Sequence, residues 1–435
     1  MKQINYHVKA AHALSGELML PGDKSISHRS VMLGSIAEGV TEVTGFLAGE
    51  DSLATMKAFQ QMGVQIDRLS DTQLRIHGVG IHGLKAPAAP LDLGNAGTGM
   101  RLLAGLLAGQ SFESTLIGDE SLSKRPMQRI SKPLTRMGAE IETTDGKPPL
   151  TVKPAKSIMG CSHELALASA QVKSALLLAG LYADGPTTVT TPGITRDHTE
   201  RMLETMGVTI HYDGLSAQMT PPEKLNAQPI EIPVDISSAA FFLVAGSIVP
   251  GSDLLLRSVG INPTRTGVLD ILKLMGADIE MLNKRQLGAE PVADLRVRSA
   301  PLTGIAIPES LVPLAIDEFP VLFVAAACAQ GETLLTGASE LRVKESDRIA
   351  SMAAGLQALG VHATPLSDGI RIQGGRIQEG AVESYDDHRI AMAFAVAGAV
   401  ASGPVVVNNC NNVATSFPGF LDCAKSVGMN ISMEI

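Results

Sequence analysis

Apolar and polar positions follow a pattern along this chain that recurs about every seventy residues. Six stretches are Ala-rich and apolar on every side of a helix, reach Gly, and lead into a segment rich in β-branched residues; these stretches are 30–46, 100–118, 173–193, 239–260, 320–339 and 390–410. A helix that is apolar all round is a buried helix. The pattern therefore predicts six buried helices, each followed by a strand.

A second recurring feature closes each copy of this pattern. A hydrophobic residue followed by Gly ends an amphipathic segment at Met62–Gly63, Met137–Gly138, Met206–Gly207, Met275–Gly276, Leu359–Gly360 and Val427–Gly428. Gly is favoured just after a helix because it enters the left-handed region without steric cost. Short alternating segments such as AEIETT and ADIEML follow and predict strands. The repeat unit is thus buried helix, strand, polar connector, amphipathic helix, strand, and it is too short to be stable alone.

Six such units are compatible with a solenoid, with one closed ring or with two groups of three. Two short Pro-bearing segments, LPGDK (20–24) and EIPVDIS (231–237), bracket the first three units. We interpret them as crossings between two halves. One expected domain joins 1–20 to 236–435, the other is 24–232, and the hinge crossings are 21–23 and 233–235. Each domain is expected to contain three repeat units.

Composition narrows the possible ligands. The 435 residues carry 35 Lys and Arg against 44 Asp and Glu, a formal net charge of −9, with no Trp and 3% aromatic residues. This balance argues against general binding to nucleic acid or to a membrane surface. The four Cys have no metal-binding spacing, and no leader or membrane span is evident. A cytoplasmic protein is expected.

Basic residues nevertheless collect beside predicted helix starts, where the helix dipole disfavours them. RVKESDRIASM (342–352) reads as a helix start with Arg342, Lys344 and Arg348 in its opening turns. Similar motifs are DKSISHRS (23–30), SKRPMQR (123–129), TRDHTER (195–201) and DDHRI (386–390). A helix N-terminus already attracts anions, and adjacent Lys or Arg strengthens that attraction. The recurrence predicts a site for small phosphorylated or carboxylated ligands.

Each motif also has a purely structural interpretation. Glu345 and Arg348 could pair on a solvated helix face. LGNAGTGMR (93–101) could be a helix capped by its Asn, and Asp317 could be only an N-cap residue. Capping and turn preferences would also account for two polar residues near a helix start, Ser169 and Gln171.

Six segments together resemble the signature motifs of the 5-enolpyruvylshikimate-3-phosphate synthase family. They are LPGDKSISHR, LGNAGTGMR, SKRPMQR, SAQVKSALLLAG, LRVKESDRI and DDHRIAMAF, and they occur in order over essentially the whole chain. The resemblance implies an α/β fold, a two-domain inverse α/β prism of six βαβαββ repeat units, three per domain, with buried central helices and closure about a hinge. It implies transfer of the carboxyvinyl group of phosphoenolpyruvate to the 5-hydroxyl of shikimate 3-phosphate by a monomeric enzyme without metal or organic cofactor.

The resemblance also implies roles for individual residues. Catalysis is expected from Asp317 as the base for the 5-hydroxyl, Glu345 for proton transfer at the methylene carbon, and Lys24 beside the reacting oxygen. Shikimate 3-phosphate is expected to contact Lys24, Ser25, Arg29, Ser169, Gln171, Arg196, Asp317 and Lys344. Phosphoenolpyruvate is expected to contact Lys24, Gly97, Arg125, Gln171, Arg348 and Arg389.

Departures from the family pattern keep alternatives open. Thr415 stands where many relatives have Lys, and Gly97 implies sensitivity to the herbicide glyphosate. The related UDP-N-acetylglucosamine enolpyruvyl transferases normally carry a Cys near the equivalent of GDESLSKRP, which has none here. Transfer to that acceptor is the second candidate, and a non-catalytic anion-binding repeat protein is the third.

Overall fold

The computed structural model describes residues 3–434, which form thirteen α-helices and twenty-three β-strands. The helices are α1 (Lys24–Ile36), α2 (Glu50–Gln61), α3 (Gly97–Leu107), α4 (Glu120–Ser123), α5 (Gln128–Arg136), α6 (Ala170–Gly180), α7 (His198–Thr205), α8 (Ile236–Ile248), α9 (Gly267–Leu274), α10 (Phe319–Cys328), α11 (Arg348–Ala358), α12 (His388–Gly398) and α13 (Phe420–Ser426). Within the described range no helix is both long enough and apolar enough to cross a membrane.

The strands are short and lie between these helices. They are β1 (Asn5–Lys9), β2 (Ser15–Leu18), β3 (Glu38–Thr44), β4 (Gln65–Arg68), β5 (Gln73–Val79), β6 (Leu91–Asp92), β7 (Ser114–Ile117), β8 (Glu140–Thr144), β9 (Lys147–Lys153), β10 (Ser162–Glu164), β11 (Thr187–Thr190), β12 (Ile210–Tyr212), β13 (Ser216–Met219), β14 (Ile230–Glu231), β15 (Asp253–Gly260), β16 (Asp278–Leu287), β17 (Glu290–Arg298), β18 (Glu332–Leu335), β19 (His362–Pro365), β20 (Ile370–Gln373), β21 (Gly380–Glu383), β22 (Val405–Asn408) and β23 (Asn430–Glu434).

The sixfold repeat predicted from the sequence is confirmed. Helices α1, α3, α6, α8, α10 and α12 are buried along nearly their whole length, and a strand follows each of them. The six glycines that end the amphipathic helices all have φ between +76° and +97°. A side chain would be strained at those angles, which explains why Gly recurs at this position.

Each repeat forms its own small sheet. The orders are β14-β3-β5-β4, β6-β7-β9-β8, β10-β11-β13-β12, β16-β17-β15-β2, β18-β20-β19 and β21-β22-β1-β23. Strand β1 pairs antiparallel with β22 and β23, and β2 pairs parallel with β15. The first two strands of the chain therefore complete the sheets of the sixth and fourth repeats.

The chain folds into two compact units, each with its own apolar core. Unit 1 contains the chain up to Pro21, Pro233–Gln286 and the chain from Pro291 onwards, and α8, α10 and α12 pack together in its core. Unit 2 contains Gly22–Ile232 and Leu287–Glu290, and α3 packs there against α1 and α6.

The short segment Leu287–Glu290 is tied to α7 inside unit 2. The His198 ring nitrogen Nδ1 lies 2.7 Å from Glu290 Oε1, and Arg201 donates to the carbonyl oxygen of Ala289 at 3.2 Å. His198 and Glu290 are both buried. The repeat pattern does not predict this attachment, because the attachment depends on contacts between residues about ninety positions apart.

A buried carboxylate supports an irregularity in strand β15. The register between β15 and β17 shifts near Ser258, whose φ is 52°. Burial by itself would raise the pKa of Asp294. Hydrogen bonds at 2.9 Å from the Asn283 amide, the Ser258 backbone N–H and the Arg257 guanidinium outweigh burial and hold that pKa at about 2.

We expect Asp294→Asn to lower the free energy of unfolding by about 2–3 kcal/mol at neutral pH. The pKa of Asp294 is lower in the folded protein than the unfolded value of about 3.9, so the ionised form favours folding above about pH 4. This contribution disappears as the pH falls through the folded pKa. Urea unfolding of both proteins at several pH values should give a difference that narrows from about pH 5 towards pH 2. A difference independent of pH would contradict the assignment.

Candidate active site

In unit 2, Lys24 stands at the first position of α1 and is held by an acidic partner. Its Nζ donates to Asp51 Oδ2 at 2.9 Å, and Asp51 lies buried in the first turn of α2. Asp23 caps α1 by accepting the backbone N–H of Ile26 at 2.9 Å. Two acids thus compensate a cation that the helix dipole disfavours. Asp51 was not predicted, because an acid in the first turn of a helix is ordinary.

A neutral histidine lies beneath this pair. His28 Nδ1 is 2.8 Å from Thr55 Oγ1. Burial, reinforced by the positive charges of Lys24 and Arg29, lowers the pKa of His28 to about 3. The ring therefore stays uncharged near neutral pH.

Arg29 ties α1 to two neighbouring helices. Its guanidinium donates to Thr199 Oγ1 at 2.7 Å, to Ser174 Oγ at 2.8 Å and to the Ser25 carbonyl oxygen at 2.9 Å. The side chain is buried. Arg196, also expected to contact the substrate, lies in the loop before α7. Contact of either Arg with a substrate stays a prediction.

The start of α3 differs from the Asn-capped interpretation, which is wrong. Ala96 holds the N-cap position and makes no side-chain cap. The Asn95 side chain instead accepts from Arg125 Nη2 at 2.5 Å and donates to Asp119 Oδ2 at 2.8 Å. Asn95 therefore orients the buried Arg125 beside Gly97, the first residue of α3.

Gln171 belongs to a hydrogen-bonded chain on the same side of α3. Arg101 Nη1 donates to Gln171 Oε1 at 2.7 Å, and Gln171 Nε2 donates to Thr98 Oγ1 at 2.8 Å. Ser169 caps α6 by accepting the backbone N–H of Val172 at 3.4 Å, as its structural interpretation predicted. Arg101 was missed, although it stands within the LGNAGTGMR motif four positions after Gly97.

In unit 1, helix α11 begins at Arg348, and the expectation of a start before Arg342 is wrong. Ser339–Val343 form a separate 3₁₀ turn. Asp347 caps α11 through the backbone N–H of Ala350 at 3.0 Å and accepts from Arg342 at 2.6 Å. An acid therefore occupies the cap, as the helix dipole requires.

Arg348 is surrounded by carboxylates. It does pair with Glu345, as the structural interpretation predicted, but it does not lie on a solvated helix face, and that part of the interpretation is wrong. Its side chain is 1% exposed, and it donates to Asp387 at 2.8 Å and to Glu345 at 2.6 Å, with Asp317 Oδ1 3.6 Å away. Burial would lower the pKa of Arg348, but Asp387 and Glu345 outweigh it and raise the pKa above its ordinary value. The guanidinium is permanently charged.

Asp317 is not an N-cap residue. Glu318 takes that position in α10 and forms no side-chain cap. The Asp317 carboxylate accepts from Lys344 Nζ at 3.1 Å, and its carbonyl oxygen accepts from Arg389 Nη1 at 2.9 Å. Asp387, in the equivalent place before α12, does cap its helix through the Arg389 backbone N–H at 2.9 Å. Asp317 and Asp387 thus hold equivalent places before two helices. Asp387 caps its helix, whereas the Asp317 carboxylate contacts Lys344.

Thr415 is a buried residue. It ends the 3₁₀ turn Asn411–Thr415, and its Oγ1 donates to the Asn412 carbonyl oxygen at 2.7 Å. The hydroxyl is thus used locally, within its own turn.

The site residues form clusters within each unit. Unit 2 groups Gly97, Arg101, Arg125 and Gln171 around the start of α3, and pairs Lys24 with Asp51. Unit 1 groups Asp317, Lys344, Glu345, Arg348, Asp387 and Arg389. Guanidinium and ammonium groups can bind anionic ligands, and the carboxyl groups beside them can accept or donate protons.

Residues 8–423 match the family model described as EPSP synthase (3-phosphoshikimate 1-carboxyvinyltransferase). The chain belongs to the EPSP synthase family. The match covers almost the whole chain, including every cluster described above.

Individual EPSP synthase relatives are similar over their full length. The 3-phosphoshikimate 1-carboxyvinyltransferase of Methylococcus capsulatus is 60% identical over 97% of this chain and 97% of the relative. The 3-phosphoshikimate 1-carboxyvinyltransferase of Alkalilimnicola ehrlichii is 60% identical over 99% of this chain and 97% of the relative. The solved structure of EPSP synthase from Acinetobacter baumannii is 52% identical, covers 100% of both chains and has a TM-score of 0.89. The two-domain prism expected from the sequence motifs is thereby confirmed.

Proposed function

We propose that this protein transfers the carboxyvinyl group of phosphoenolpyruvate to the 5-hydroxyl of shikimate 3-phosphate and releases phosphate, a step of aromatic amino acid biosynthesis. The observation that carries the proposal is the 60% identity, over 97% of the chain, to a protein named for this activity. The geometry agrees with the chemistry, because Arg, Lys and ionisable carboxylates lie within hydrogen-bonding distance of one another in both units.

The cations bind the acidic substrates in this proposal. Phosphoenolpyruvate carries up to three negative charges, so several fixed positive groups are needed to stabilise it and the charge that develops during reaction. This role belongs to Lys24, Arg125, Arg348 and Arg389. The lack of a Cβ at Gly97 leaves room for the Arg125 guanidinium. The planar fork of Arg suits a carboxylate or a phosphate group.

A second set of polar groups binds the other substrate. Residues proposed to hold shikimate 3-phosphate are Lys24, Ser25, Arg29, Ser169, Gln171, Arg196, Asp317 and Lys344. Most of these side chains are already fixed by hydrogen bonds within their own unit, such as the chain from Arg101 through Gln171 to Thr98. Prior fixation lowers the entropy lost when a substrate is held in reactive geometry.

Two carboxylates carry the protons. Asp317 accepts the proton of the 5-hydroxyl as the hydroxyl oxygen attacks C2 of phosphoenolpyruvate, and Glu345, in its carboxylic acid form, delivers a proton to C3. This addition gives a tetrahedral intermediate. Glu345 then removes a proton from C3 as the C2–O bond to phosphate breaks, the vinyl group is restored, and the proton held by Asp317 leaves with the phosphate. Each proton transfer of this kind contributes about 10²–10⁴-fold to the rate.

Phosphate release measured with different acceptors tests the proposal. Phosphoenolpyruvate and shikimate 3-phosphate together should release phosphate, whereas phosphoenolpyruvate alone or with UDP-N-acetylglucosamine should not. Release with UDP-N-acetylglucosamine only would favour the related transferase. Binding of phosphoenolpyruvate without release for any acceptor would favour an anion-binding protein.

Gly97→Ala should raise KM for phosphoenolpyruvate about tenfold. A Cβ at this position would lie 2.8 Å from Arg125 Nη1 and 3.2 Å from Arg101 Nη1, so the Arg125 guanidinium must shift. Steady-state kinetics should locate the change in KM for phosphoenolpyruvate. Gly185→Ala, where a Cβ meets nothing within 4 Å, is the matched control and should leave both KM values unchanged. Equal changes in the two substitutions would contradict the role of Gly97.

We further infer that the enzyme is a cytoplasmic monomer and that glyphosate inhibits it in competition with phosphoenolpyruvate. Gly97 supports the inference about glyphosate, since the lack of a Cβ there lets the Arg125 guanidinium take its observed position. Titration of the inhibitor against phosphoenolpyruvate checks it, and unchanged rates at millimolar inhibitor would reject it.

A further inference from the structure

Glu318 is a buried carboxylate next to Asp317 that the roles proposed above leave unused. Its side chain is 1% exposed. It stands at the N-cap of α10 without capping the helix through its side chain. A buried charge is costly unless it is paired, so its partners indicate what it does.

Glu318 lies between two arginines. Its Oε1 accepts a hydrogen bond from Ser237 Oγ and lies 3.6 Å from Arg389 Nη1 and 3.9 Å from Arg265 Nη2. Arg265 Nη2 also donates to Ser237 Oγ at 2.8 Å and lies 3.2 Å from Asp235 Oδ1. Asp235 and Ser237 belong to the start of the buried helix α8. The carboxylate is therefore fixed from the core side. Among its partners within residues 3–434, Arg389 alone has a proposed substrate contact.

One guanidinium nitrogen of Arg389 makes a hydrogen bond and an ion pair on this side. Its Nη1 donates to the Asp317 carbonyl oxygen at 2.9 Å and faces Glu318 Oε1, while its side chain remains 11% exposed. Glu318 Oε2 accepts no hydrogen bond within residues 3–434. The Glu318 carboxylate thus faces two guanidinium groups and accepts from one hydroxyl. A neutral side chain of the same shape would lose the ion pairs with the guanidinium groups.

We propose that Glu318 is a positioning residue: it orients the Arg389 guanidinium for the carboxylate or phosphate of phosphoenolpyruvate. The inference rests on the proposed function. Glu318 touches no substrate itself, because its oxygens are buried, and it acts through Arg389.

If Glu318 were only a counter-charge for Arg389, its replacement would be expected to lower KM for phosphoenolpyruvate. Removing a negative charge beside Arg389 makes the surroundings more positive, which by electrostatics alone strengthens the binding of an anion. Loss of orientation weakens it, because misplacement of a binding group by about 1 Å can reduce the rate about 100-fold. The direction of the change in KM therefore separates the two roles.

The experiment compares Glu318→Gln with wild type in steady-state kinetics and thermal unfolding. We expect KM for phosphoenolpyruvate to rise about 10- to 100-fold, with kcat, KM for shikimate 3-phosphate and the melting temperature nearly unchanged. Glu332→Gln is the control. Glu332 is an exposed residue of the same unit that lies 3.8 Å from Arg371, and its replacement should change none of these quantities.

Two further variants keep the test decisive if Glu318→Gln folds poorly. Ser237→Ala removes the hydroxyl that donates to Glu318 and should raise the same KM by a smaller factor. Adding Glu318→Gln to Arg389→Lys should cause no further loss, since Glu318 acts through the native guanidinium.

Three results would overturn the inference. These are an unchanged KM for phosphoenolpyruvate, a lower one, or equal losses for both substrates with a reduced melting temperature. Wild type that releases no phosphate would refute the proposed function instead. The effect of Glu318→Gln is then measured by equilibrium binding of phosphoenolpyruvate, where unchanged affinity overturns the positioning role.

Discussion

Arg348→Ala is expected to lower the free energy of unfolding by about 3–5 kcal/mol, because it leaves the buried Asp387 carboxylate without its cation. Asp387 is fully buried and lies 2.8 Å from Arg348, and Glu345 lies 2.6 Å away. Removing one member of such a group costs more than the group itself contributes, since the remaining charge cannot be solvated. Urea unfolding and steady-state turnover together measure the effect, and turnover should be lost.

Two comparisons separate this effect from ordinary loss of a side chain. Arg371→Ala removes an exposed Arg that lies 3.8 Å from Glu332, and such surface changes usually stay within about 0.5 kcal/mol. The double substitution Arg348→Ala with Asp387→Asn should regain part of the lost stability, because the unpaired charge is gone. If the double variant is less stable than Arg348→Ala alone, unpaired charge is not the cause.

Asp317→Asn is expected to reduce kcat by about 10²–10⁴-fold while KM values change little. The amide has almost the same shape and can still contact Lys344, but it cannot accept the proton of the 5-hydroxyl. Rapid-quench measurement of the first turnover should place the loss in the chemical step. Asp278→Asn, at a half-exposed residue of the same unit, is the control and should leave kcat unchanged. A loss confined to KM would assign Asp317 to binding only.

The repeat could be predicted from the sequence because it depends on local rules. A helix that is apolar on all sides must be buried, and a helix that ends in the left-handed region favours Gly, so six copies of both signals fixed the architecture. Lys24, Arg125 and Arg348 could be singled out for the same reason, since their unusual charge near helix starts is visible in a short window. Their contact with a substrate stays a prediction.

The partners of those residues could not be predicted. Asn95 reads as a helix cap in its own segment, but it binds Arg125, thirty positions away. Glu318 reads as one more acid before a helix, and its partner Ser237 lies 81 positions earlier. The start of α11 is set by its cap Asp347, and nothing in the segment distinguishes this acid from Glu345 two positions earlier. Long-range pairing of polar side chains leaves no periodic trace in the sequence.

The position of β1 has a consequence for how the chain folds during translation. Ile4 donates its backbone N–H to Asn411, 407 positions later, and β1 lies between β22 and β23 in one sheet. Gly22–Ile232, most of unit 2, leaves the ribosome long before these partners exist. Strand β1 therefore lacks its partners β22 and β23 until nearly four hundred further residues have been synthesised, and its unpaired edges can aggregate during that time.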